Sequence, residues 1–416
     1  MNNKKIYDKP NYIWNAVAGV LNACSAVLFI MIATRIDGVA AAGILTSSFA
    51  IGNLMMTIGK YGVRNYQITE SDNKIDFSQY KYHRIICCSI MVICLFIYVM
   101  VDYMRTNIVT YKTIVIFLIG CIYVIEAFED VYAGELQRRN RLDLASKLYI
   151  FRWCVIFFLY IISYILMKMS LMYSILLSLG GSILIELYML KVLFMDSPLK
   201  PIDIRSIIKL FTECFSLFGS SFLIYFITNF PKYYIDITMD VEIQGYYGYI
   251  SMPVFVIELL NCFIYQPQIV KLANEWNKRN FIMVKKRYCQ QIVCIILLSV
   301  LVEIIVYICG VEILSLVFGT DISIYKKELL IIMLAGCAFS IVSYSGVILT
   351  TMRKQKIYFC NMLLVSLLTL VVLEFIKFKE LRSIVFFYVI VMIILSIVNV
   401  FSVVVYMKKA KKEKMI

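Results

Sequence analysis

Histidine is almost absent: the 416 residues contain one, His83, in a basic, polar stretch read as a loop. A Ser-His-Asp triad or a histidine-based metal site therefore has nearly nothing to be built from, and no metal or cofactor is expected. Charged residues are scarce too, at 16%. No GxxxxGK[ST] loop occurs, which argues against nucleotide-driven transport. Thirteen cysteines are present, but none with CxxC spacing or a secreted-type framework. Most lie inside apolar segments, where a thiol behaves as a small hydrophobe. Long polar loops are lacking on the side opposite the basic ones, so an enzyme with a folded outer domain would have nowhere to keep it.

What remains is apolar. Hydrophobic residues make up 62% of the chain and the mean hydropathy is +0.83, well above soluble domains. Runs of about 20 residues suited to crossing a bilayer fall near 12–34, 38–58, 85–104, 112–133, 147–168, 171–194, 206–230, 244–267, 289–310, 328–350, 357–376 and 383–407. Their continuity excludes a spanning barrel, whose strands alternate over about 10 residues. The first run is too long for a cleaved signal core and is expected to stay as an anchor. The expected fold class is an all-α polytopic membrane protein of about twelve transmembrane helices.

The net charge of +14 then records loop placement rather than a nucleic-acid partner. With this span assignment, 29 of the 41 basic residues lie on the side of both termini and 10 on the other. Both termini are expected to be cytoplasmic, in a cytoplasmic or inner membrane. The segment DSPLKPID holds two of the six prolines and divides the chain into an N-terminal lobe 1–195, a linker 196–209 and a C-terminal lobe 210–416 with a basic tail. A faint internal echo links Arg35-Ile-Asp37 before AAAGILTSSF with Lys232-Tyr-Tyr-Ile-Asp236 before IQGYYGYISM. Pro231 is expected to end the seventh helix, leaving NFPKYYID as an outer turn whose tyrosines suit the aromatic belt.

Polar residues inside spans are the informative exceptions, since a desolvated group persists only when it is paired or faces water. Tyr247, Ser251, Glu258, Asn261 and Tyr265 recur at intervals of 4, 7, 3 and 4 and so share one face of the eighth helix. That face either lines a hydrated cavity, with Glu258 as a candidate for cation coupling, or is packing glue between helices. Asn15, Asn22 and Ser25 repeat the pattern in the first helix, and Thr46, Asn53 and Thr57 in the second. Arg152 lies about as far from the 134–147 loop as Asp130 and Glu129 do. An antiparallel pair would bring them level, as a structural ion pair or as an attractor of an anionic headgroup. Glu186 and Glu303 have no evident partner and receive no role.

Four stretches carry a resemblance: NYIWNAVAGVLNACSAVLFIMIATRI with GVAAAGILTSSFAIGNLMMTIGKYGVRNYQ, AGELQRRNRLDLAS, NFPKYYIDITMDVEIQGYYGYISMP, and EILSLVFGTDISIYKKELLIIM. In this order and spacing they resemble the polysaccharide-biosynthesis, Wzx-type flippases of O-antigen and capsule repeat units, within the multidrug/oligosaccharidyl-lipid/polysaccharide (MOP) flippase superfamily. The resemblance implies two six-helix lobes around a central cavity. It also implies alternating access and transfer of an undecaprenyl-pyrophosphate-linked oligosaccharide from the cytoplasmic to the outer leaflet, with H⁺ or Na⁺ as candidate coupling ions and other glycan-assembly proteins as partners.

Asn15, Asn22, Asn53, Tyr247, Ser251, Glu258, Asn261 and Tyr265 are then the substrate-cavity candidates, and Arg35, Arg64, Arg152 and Lys232 the phosphate contacts. A cation-coupled drug or metabolite antiporter of the same superfamily is the alternative. A polysaccharide polymerase or ligase and a non-transporting scaffold rank lower.

Overall fold

In the computed structural model, backbone is described for residues 2–69, 75–194 and 200–415, and side chains for 13–68, 75–191 and 200–410 apart from 267 and 270. The first two expected spans form one helix, α1 (Asn2–Lys60), broken only at Gly38 with φ 81° and ψ −169°. That conformation favours glycine, which has no Cβ to clash. There follow α2 (Val63–Thr69), α3 (Phe77–Thr106), α4 (Tyr111–Arg138), α5 (Leu142–Ile161, prolonged by a π-helical turn Ile162–Leu166) and α6 (Leu171–Phe194). Then come α7 (Ile204–Thr238), α8 (Val241–Tyr265), α9 (Ile269–Asn277), α10 (Phe281–Phe318), α11 (Lys326–Thr351), α12 (Gln355–Phe375) and α13 (Leu381–Met415).

Among the described residues there is no strand, and ten segments are long and apolar enough to cross a bilayer. The first contains the Gly38 break and counts as two spans. α4, 28 residues long with its acids gathered towards its C-terminal end, completes about twelve. The protein is a multi-pass, all-helical membrane protein.

Three departures from the expected spans change where residues lie. α3 begins at Phe77 rather than 85 because Asp76 caps it, its Oδ1 accepting from the Ser78 amide at 3.0 Å. His83 is thus no loop residue. It is fully buried, its ring 4.2 Å from that of Phe211 and 5.4 Å from that of Tyr61. α10 likewise starts early, at Phe281, where Asn280 caps the Met283 amide.

The third correction is NFPKYYID, which is helix and not an outer turn. α7 continues through Pro231 to Thr238. Pro231 has no amide to give the Ile227 carbonyl, a loss that spanning helices tolerate because neighbouring helices, waters or small backbone adjustments can serve the freed group.

The chain divides into two compact units, Met1–Phe222 and Leu223–Ile416, with the division inside α7. Residues 196–199 of the linker 196–209 lie outside the described residues; the rest is irregular chain to Asp203 and then the start of α7. In the first unit α4 packs against α1, α2, α3, α5 and α6. Within the second, α11 packs against α8, α9, α10, α12 and α13. The fourth span of each half is therefore its hub.

Lipid tails are as apolar as leucine, so these contacts depend on close approach and on hydrogen bonds. A Cβ on Gly59 of α1 would meet Ala127 Cβ of α4 at 2.8 Å, and one on Gly336 of α11 would meet the Val254 carbonyl of α8 at 3.0 Å. The same polar device recurs in both units. Asn53 donates to its own Phe49 carbonyl at 2.8 Å and to Tyr123 of α4 at 3.2 Å. Asn261 donates to its Ile257 carbonyl at 2.9 Å and to Ser340 of α11 at 3.3 Å.

Candidate functional site

The sequence Glu126-Ala-Phe-Glu129-Asp130 puts three acids on one face of α4, because residues three and four apart are neighbours on a helix. Four cations converge on that face. Lys60 ends α1 and Nζ lies 3.0 Å from Glu126 Oε1. A turn through Tyr61 and Gly62, both at positive φ, then delivers Arg64 of α2, which reaches Asp130 at 3.3 Å and Gln137 at 2.8 Å.

Arg84 of α3 donates to Asp130 Oδ2 at 2.8 Å and to the Gly59 carbonyl at 2.7 Å. Arg152 of α5 donates from Nε to Glu129 Oε2 at 2.8 Å, with Glu126 Oε2 3.7 Å from its NH2. The expected partner Glu129 is therefore found. Asp130 is not, because Arg64 and Arg84 hold it instead.

A cavity of about 250 Å³ opens beside this cluster, within the first unit. Its walls include Asn15 and Asn22 of α1, Lys60, Arg64, the three acids, and Ser146 and Tyr149 of α5. Arg84 and Arg152 are fully buried, whereas the side chains of Lys60 and Arg64 are 31% exposed. The buried arginines neutralise the acids from behind, and the half-exposed pair faces the space. Tyr149 donates its hydroxyl to Asn22 Oδ1 at 2.8 Å, setting that amide at the rim. Together these groups could hold an anion with charge-assisted bonds and adjoining hydroxyls with amide and phenol groups.

The other sequence candidates lie elsewhere. Asn53 is engaged with α4, and Arg35 is exposed near the Gly38 break. In the second unit, Tyr247, Ser251, Asn261 and Tyr265 are buried. Asn261 packs on α11, and Tyr265 donates to Glu258 Oε1 at 3.1 Å, with Ser340 and Ser343 beside that carboxylate. Lys232 lies 5.7 Å from the Phe255 ring centre. Lys60, Arg84 and Tyr149 are not singled out by sequence alone. Lys60 and Arg84 seemed ordinary members of a basic loop, and only the early start of α3 puts Arg84 opposite Asp130.

The family model for polysaccharide biosynthesis proteins matches residues 9–273. No curated protein sequence matches the chain. Among solved structures, an inward-facing multidrug-resistance MATE family transporter of the MOP superfamily aligns with TM-score 0.73 at 12% identity, over 94% of this chain and 96% of that one. A eukaryotic MATE transporter aligns at 0.62 and 12% identity, over 98% of each chain. A MOP superfamily transporter from Pyrococcus furiosus aligns at 0.53 and 11%, over 98% of this chain and 93% of that one. At such identities the likeness establishes the fold, which is that of MATE transporters. The chain belongs to the polysaccharide biosynthesis protein family.

Proposed function

We propose that this protein moves an undecaprenyl-pyrophosphate-linked oligosaccharide from the cytoplasmic to the outer leaflet by alternating access, with both termini cytoplasmic. A sugar chain and a pyrophosphate cannot cross about 30 Å of hydrocarbon unaided. The observation that carries the reading is the cavity on α4, where Lys60 and Arg64 stand half-exposed beside Asn15, Asn22 and Tyr149. That pairing of cations with amide and hydroxyl groups suits a phosphate joined to a sugar. A cationic drug fits less well, because every acid on the wall already has a buried or neighbouring cation.

Coupling to H⁺ or Na⁺ through Glu258 belongs to the same proposal. The deciding assay uses vesicles of the purified protein with a labelled lipid-linked oligosaccharide in one arm and a cationic dye in the other. Transfer of the glycan lipid and not the dye is the expected result; the reverse would favour the antiporter. Full-rate flipping by Glu258→Gln with unchanged pH and Na⁺ dependence would remove the coupling element.

A further inference from the structure

Behind the α4 cavity lies a second, much smaller chamber of about 20 Å³, room for one water. Glu129, Ala133 and Ala145 line both spaces, so the two adjoin. On the far side stands Glu186 of α6, 7% exposed, and its Oε2 is buried without a hydrogen-bond partner. The charged or titratable groups facing it are Glu129 and Tyr132 from α4 and Arg152 from α5, and Lys191 lies farther along α6.

Charge bookkeeping sets this carboxylate apart. Lys60, Arg64, Arg84 and Arg152 supply four positive charges, and Glu126, Glu129, Asp130 and Glu186 four negative ones, so the cluster is neutral when all are ionised. The first three acids each have an ion pair, whereas among the described residues Glu186 has none. An anion drawn to Lys60 and Arg64 would make the whole cluster negative in a low-dielectric setting. The least-supported carboxylate then gains most from neutralisation.

From this geometry we infer that Glu186 is a proton-binding site, reached through the one-water chamber, which fills when an anion occupies the α4 cavity. A hydronium ion arriving by the open cavity gives its proton to Glu186 Oε2 and leaves a water in the chamber, so charge and atoms balance. The link to anion binding rests on the proposed function; the proton site itself does not.

Infrared difference spectroscopy on the full-length protein in lipid nanodiscs tests both parts, with inorganic pyrophosphate as the probe. Without pyrophosphate, a carboxylic-acid C=O band should grow as pH falls and be missing from Glu186→Gln and Glu186→Leu. Pyrophosphate added at constant pH should strengthen that band in the unaltered protein, and its phosphate bands should still shift on binding to Glu186→Gln. A band absent at every pH, or retained in both variants, overturns the proton site. Pyrophosphate that binds without strengthening the band overturns the linkage. A titrating band with no pyrophosphate binding supports the proton site and counts against the α4 cavity as the headgroup site.

Discussion

Arg152 on α5 donates from Nε to Glu129 Oε2 on α4 at 2.8 Å, and solvent reaches neither group freely, at 0% and 10% side-chain exposure. Removing one partner of such a pair strands a buried charge, whereas replacing both by apolar groups is often tolerated. Arg152→Met should therefore cost about 3–5 kcal/mol, read as a lower melting temperature of the purified protein in detergent. Adding Glu129→Leu should restore most of the loss. A single variant as stable as the parent would show that the pair is not structural.

Lys60 and Arg64 are expected to act on transport rather than on folding. Each could contribute one charge-assisted hydrogen bond to a bound anion, worth about 1.5–3 kcal/mol. Lys60→Gln and Arg64→Gln should each slow transfer of a pyrophosphate-linked glycan by roughly ten-fold or more, with a smaller loss of melting temperature than Arg152→Met, because Arg152 and Arg84 still face Glu126 and Asp130. Arg64→Lys should retain part of the rate because the charge stays.

Asp76 ties the start of α3 to the segment that leads into α7. Its Oδ2 lies 2.6 Å from Lys200 Nζ, and Gln79 both donates to the Pro201 carbonyl at 2.8 Å and accepts from the Asp203 amide at 2.9 Å. The Lys200 hydrogen bond, then the Ser78 amide, hold the Asp76 carboxyl below its ordinary 3.8. A depressed acid contributes stability that is present above its unfolded value and is lost as pH falls through the folded one. The pair is largely exposed, so the contribution is below about 1 kcal/mol. Amide hydrogen exchange at Lys200, Ile202 and Asp203 should rise as pH falls below 3.8, once corrected for intrinsic rates, and should already be raised at neutral pH in Asp76→Asn.

Close packing of α8 on α11 leaves no space at Gly336, where a Cβ would meet Ile257 Cδ1 at 2.9 Å and the Val254 carbonyl at 3.0 Å. Gly336→Val should destabilise the second unit by about 1–3 kcal/mol, the usual cost of overpacking. The check is melting temperature, with Gly180→Ala, whose Cβ would meet nothing within 4 Å, as the comparison.

Hydropathy made the spans legible because each is a local property of about 20 residues. Arg152 and Glu129 were legible for a related reason: equal distance from one short loop makes two residues level in an antiparallel pair. Arg84 and His83 were hidden by basic neighbours that hydropathy alone assigns to a loop. The Asp76 cap extends α3 backwards and carries both inside. Pro231 misled because the rule that helices stop before proline, drawn from soluble proteins, weakens in spanning helices, and α7 runs through it. The α4 cavity itself draws on α1, α2, α4 and α5, a convergence no single stretch of sequence displays.

Asn53 and Asn261 make possible an experiment that carries its own replicate. Each amide joins its helix to a hub hydroxyl, one to a phenol and one to a serine, in the same chain and the same bilayer. Alanine at either position, and at both, would measure the worth of one interhelical contact twice under identical conditions. Any difference between the two values would then reflect local surroundings rather than detergent, lipid or protein preparation.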